Sequence, residues 1–273
     1  QQIAAFSTAQ IRGITSDQAR AFEAADLVAF SSVQFSAISG PSVAALSTDQ
    51  VASLRFLQIS GLASNQILAL NTDQLSALST LQFRGLSTLQ LQALATDQLI
   101  ALSSSQLQVL ANTQVAGMAS DQIHALSTDQ LVALTVSQFT AMTSSQVGAL
   151  SATKIKDIES DDLRALATST IGALRTDAVV ALTNDQFSVM QPGQVGAFSP
   201  AQIARIESDD LRVLGSKQLQ AIGSLQIRNL TTAQVQALNV DQVPSLATWQ
   251  TSALSTDQIF GLASEQVQAL TIQ

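Results

Sequence analysis

The chain has 273 residues, of which 46% are hydrophobic but only 12% charged and 4% aromatic, against a usual charged share of about 25%. With no Cys, no Tyr and one His, it has no disulfide framework, zinc finger or thiol nucleophile and almost no imidazole chemistry, so the expectation is that it is no enzyme and takes no cofactor. A net charge of -8 argues against nucleic acid and anionic membrane surfaces as partners, and no apolar run reaches the roughly 18 residues that would span a bilayer.

An eight-residue register starts at Gln2 and runs without insertion to Gln266; 27 of its 34 sites are Gln. The next residue is large and apolar nearly throughout (Ile3, Leu75, Phe139, Val267), and three residues further on comes Leu, Ile, Phe or Met. Between these two stand a variable and then a small residue. The consensus Ser/Thr-Thr-Asp-Gln-Leu-x-Ala-Leu is nearly intact at Ser127 to Leu134 and Ser255 to Leu262. Over eight residues a continuous helix overshoots two turns by about 80°, so an apolar stripe would precess around it. In a strand the two apolar positions fall on opposite faces, which suits a one-sided β-solenoid badly. A helix that stops and restarts in every octad fits best, because Ser or Thr followed three residues later by Gln reads as a capping box. The predicted fold is therefore all-α, a single continuous solenoid over 1–273 built from one short capped helix per octad.

Taken along the chain, the Gln column (Gln50, Gln74, Gln98, Gln122, Gln146) is expected to close each helix's own cap and to reach the backbone of a stacked neighbour, since an amide offers two donors and an acceptor. A plainer alternative is an exposed Gln that only caps. Where the cap site is Ala (Ala63, Ala95, Ala111, Ala119, Ala167, Ala247, Ala263), the following Ser, Thr or Asn could take over and the cap slide by one. Gln92, at a variable site, is expected to be a neutral position. Asp49, Asp73, Asp97 and Asp121 recur every 24 residues, as do Val33, Leu57 and Leu81, with Leu225 and Trp249 in the same phase. This hints at three octads per turn, a triangular rod on the order of 100 Å long at a helix spacing of about 9 Å. His124 reads as a surface residue.

Further on, Ser151 to Leu182 is the least regular stretch, with Lys154, Asp162, Thr170 and Ala178 in the Gln register. Two acidic clusters, Glu159, Asp161, Asp162 and Glu207, Asp209, Asp210, could offer carboxylate oxygens to Ca2+. The same acids also suit a helix start, where the dipole favours them, with Arg164 and Arg212 to balance them, and the expectation is no metal. Pro192 and Pro200 fall at the first helical position, which accepts Pro best. Pro244, at a variable site, is a misfit expected to loosen its octad. The chain closes at Thr271-Ile272-Gln273 part-way into an octad, which suggests end-to-end homopolymerisation or a longer parent chain.

Octads of the form Leu-Ser-Thr-Asp-Gln-Leu-x-Ala-Leu resemble tracts of long, repetitive, secreted or surface-exposed adhesin-like proteins of Gram-negative bacteria. The resemblance implies an extracellular or cell-surface setting and supplies no functional residues. The expected function is structural: a rigid rod acting as stalk, fibre subunit or surface layer component, with itself as partner. The alternatives are a solenoid that engages a surface glycan or protein, and an intracellular spacer.

Overall fold

In a computed structural model, which describes residues 2–270, the chain folds into 32 α-helices of four to seven residues and two 3-10 helices, with no strand among the described residues. Thr72–Ala77 shows why each octad makes one helix. Asn71, the N-cap, is extended and its side chain accepts from the Gln74 backbone N–H, while the Gln74 amide returns the bond to the Asn71 backbone. Leu78 (φ -63°, ψ 129°) and Ser79 (φ -63°, ψ 157°) are then both extended, so two residues turn the corner before the next helix. No described residue has a positive φ. The corner therefore needs no glycine, and Gly215 and Gly223 occupy cap sites in the same extended conformation as their Ser counterparts.

The caps do not slide at alanine. Helices start at Ser64, Thr96, Asn112, Ser120, Thr168 and Thr248, leaving Ala63, Ala95, Ala111, Ala119, Ala167 and Ala247 as the N-caps. In all but one of these octads the Gln amide alone closes the start; the exception, Ala167, has Thr170 in the Gln register. Pro192 and Pro200 lie in the first turn of their helices, where a missing N–H costs nothing. Pro244 replaces the α-helix of its octad with the 3-10 helix Val243–Ser245.

Both apolar positions of the octad face inward. Leu75, Leu99 and Phe139 are fully buried, and Leu78 and Leu102 nearly so. Helices this short are unstable alone, and their stability comes from stacking. The chain divides into two compact units, Gln1–Gln138 and Phe139–Gln273. Within the first, Gly40–Ala44 packs on Ser64–Ala69 and Thr48–Ser53 on Thr72–Ala77; within the second, Pro192–Gly196 packs on Ser216–Gln220 and Pro200–Ile203 on Ser224–Asn229. In every such pair the partner lies three helices, or 24 residues, further on. Each unit is thus a solenoid with three octads per turn. No helix among the described residues is long and apolar enough to cross a membrane.

Candidate functional site: the glutamine column

Gln is normally a surface residue, yet from Gln50 onward the column is buried, with Gln98 4% and Gln146 1% exposed. Each amide works in two directions. The Gln98 Oε1 accepts from the Ala95 backbone N–H at 2.8 Å, closing the start of its own helix, while Nε2 donates to the carbonyls of Leu68 at 3.0 Å and Leu70 at 2.6 Å in the turn before. Gln74 takes the Asn71 N–H at 2.8 Å and gives to Ala44 at 3.1 Å and Leu46 at 2.6 Å. For Gln50 the acceptors include Phe22 at 2.6 Å, and for Gln122 they are Leu91 at 2.9 Å, Gln92 at 3.3 Å and Leu94 at 3.0 Å. Gln146 accepts from the Thr143 N–H at 2.8 Å. The carbonyls taken lie at the C-terminal end of a helix and at the corner after it, where intrahelical partners run out. One side chain therefore ties the start of its own helix to the end of a helix in the previous turn. Gln10 and Gln18 cap their own helices in the same way but are exposed, because burial of a column Gln is supplied by the turn before it.

A second layer of ties runs the opposite way and was not legible in the sequence. Side chains at the variable position reach forward to the backbone 25 residues on: Ser76 Oγ donates to the Ala101 carbonyl at 2.9 Å, Arg212 Nε to Ala237 at 2.9 Å and Gln220 Nε2 to Ser245 at 2.9 Å. Gln92 belongs to this layer, since its Nε2 donates to the Gly117 carbonyl, so it is not the uninvolved position expected of a variable site. Where the variable residue is Gly, the backbones close in directly. A Cβ at Gly172 would lie 2.6 Å from the Ala197 carbonyl oxygen, and one at Gly196 2.7 Å from that of Ala221.

The acidic clusters do not converge. Glu159, Asp161, Glu207 and Asp209 are exposed, whereas Asp162 and Asp210 are buried in the Gln register. The Arg212 guanidinium pairs with Asp209 at 2.9 Å. Burial, and then the neighbouring Glu159 and Asp161, push the Asp162 carboxyl up to about 6; burial together with Glu207 and Asp209 does the same to Asp210. Among the described residues no group of three or more His, Asp or Glu comes together to hold a metal ion. His124 is exposed at the end of Ser120–Ala125. An open apolar recess in the first turn, walled by Phe6, Ile14 and Phe22, is lined by no titratable group. The chemistry of the column is therefore backbone satisfaction between turns.

A repeat-family model described as the ALTTAQ repeat matches residues 19–55, 67–104, 99–136, 115–152, 155–192, 203–240 and 216–248. No curated protein matches the chain at a significant level. The run Leu230-Thr231-Thr232-Ala233-Gln234 shows how the repeat reads in this fold: a corner residue, the cap, the first two helical positions and the column Gln. Because the matched stretches cover most of the sequence, the chain belongs to the ALTTAQ repeat family.

Proposed function

We propose that this repeat protein is structural, a rigid rod or filament element that serves as stalk, fibre subunit or surface layer component outside the cell, and that it is no enzyme. The observation that carries this reading is the two-way tie. A turn that carries the glutamine column offers amide donors backward and carbonyl acceptors forward, so it is complementary to another copy of itself and axial stacking can continue without a new kind of contact. The resemblance of the octads to adhesin-like surface tracts supports the setting. The exposed apolar residues Val33, Leu57 and Leu81, one per turn in the first unit, favour a second reading as a binding module for a protein. Negative-stain microscopy of the purified chain, with light scattering across a concentration series, tests the first reading. Rods in multiples of the monomer length are expected, and a chain that stays monomeric at high concentration would sink the filament and favour the binding module.

A further inference from the structure

One column of the second unit alternates acid and amide: Asp162, Gln186, Asp210 and Gln234 follow at 24-residue steps. The two glutamines make the usual ties. Gln186 Nε2 donates to the carbonyls of Ile155 and Ile158, both at 2.8 Å, and Gln234 to those of Ile203 at 3.0 Å and Ile206 at 2.7 Å. Asp210 fills the slot without the donor. Its carboxyl lies beside the Glu207 backbone N–H, but an ionised carboxylate has no hydrogen to give. By register, the carbonyls that this rung would take are those of Val179 and Leu182.

The side chain is nonetheless 5% exposed, and a buried charge costs free energy unless paired. Among the described residues no cation is paired with it. On its own helix, Ser208–Arg212, stand Asp209 and Arg212, with Glu207 at the cap, and Arg212 is bound to Asp209 and to the Ala237 carbonyl. The helix Asn184–Val189, packed on one side, carries Asp185, and Thr232–Ala237, packed on the other, carries no charged residue. Of the nearby segments, Thr176–Val180 carries Asp177, paired with Arg175 at 3.2 Å; Arg205 lies on the preceding connection and Lys217 on the following helix.

We propose that Asp210 makes its rung of the second unit an acid-tightened joint, in which protonation returns the missing donor to the glutamine slot and binds successive turns, and ionisation releases them. The direction follows from linkage. The carboxyl titrates at about 6 in the folded chain, above its ordinary value of 3.8, so the folded rung binds the proton more tightly than the opened one. The rung is weakened at every pH above about 6, and the weakening is relieved as pH falls from there toward 3.8.

Hydrogen exchange measured by mass spectrometry on the full chain between pH 8 and pH 5, corrected for intrinsic exchange rates, tests this on peptides covering residues 203–214. Protection in the wild type is expected to rise roughly tenfold over that interval. In Asp210→Asn, which is neutral and nearly the same size, the slope should vanish. Asp210→Gln, with the full amide restored, should be more protected than the wild type at pH 8. The proposal is overturned if the wild type shows no slope, if Asp210→Asn keeps the wild-type slope, or if Asp210→Gln gains no protection at pH 8.

Discussion

At the scale of single residues, the octad is held by an amide whose three polar functions all have backbone partners. Replacing Gln98 by Leu keeps the volume but leaves the Ala95 N–H and the Leu68 and Leu70 carbonyls without their partner, and since Ala95 has no side-chain cap of its own, nothing local replaces the lost bond. A buried polar group stripped of its partner costs about 1–3 kcal/mol. Gln98→Leu should therefore lower stability by about that amount in a denaturant titration. Gln92→Leu, which gives up one exposed bond, should cost about 0.5–1.5 kcal/mol. Exposed Gln108→Leu should stay within about 0.5 kcal/mol, as surface changes do. Equal losses at positions 98 and 108 would mean that the column carries no more load than the surface.

At the scale of the helix, the sequence states its start plainly, because the capping box and the position of Pro192 and Pro200 agree on it. It misleads at the alanine caps. There the missing hydroxyl suggests a shifted start, whereas the glutamine, the larger and better buried partner, fixes the position. The forward ties were hidden for a related reason. Ser76, Gln92, Arg212 and Gln220 share only the ability to donate, which a column of mixed residue types conceals, although Gly148, Gly172 and Gly196 at 24-residue steps were a readable sign of close approach. Asp162 stood out in the glutamine register of the irregular stretch, whereas Asp210 sits in the same register among acidic neighbours that point to charge and not to the slot it fills. The close approach yields a prediction. Alanine gains about 0.4–1 kcal/mol over glycine where the backbone suits both, as it does at Gly172, the αR C-cap of Thr168–Ile171, but there its Cβ would meet the Ala197 carbonyl oxygen at 2.6 Å, a backbone atom that can move only if the stacked helix moves. Overpacking of this kind costs about 1–3 kcal/mol, so the clash wins, and Gly172→Ala should lower the melting temperature where that gain alone would raise it.

At the scale of the whole molecule, the side-chain ties between turns reach 25 to 31 residues along the chain in the pairs described above, so stability within each unit is a sum of turns and neighbour contacts. Such a sum depends on register more than on length. Deleting Thr80–Ser87 removes one octad and joins Ser79 to Thr88, cap to first helical position; Gln90 then meets the carbonyl of Leu54 where it now meets that of Leu62, and every later tie finds an equivalent partner. Deleting only Thr80–Phe83 removes half as many residues but sets Gln90, Gln98 and Gln106 half an octad out of step with the turn before, so that Gln90 faces Gln58 instead of a corner leucine. Gln82 itself is removed, so the Leu54 carbonyl also loses its partner and four ties are lost together. At about 1–3 kcal/mol each the loss is about 4–12 kcal/mol, comparable with the 5–15 kcal/mol that holds an ordinary domain folded. Thermal melts followed by circular dichroism should therefore place the eight-residue deletion within a few degrees of the wild type and the four-residue deletion well below it, with helix lost before the main transition. If the two deletions melt together, burial alone holds the turns and the glutamine register does not.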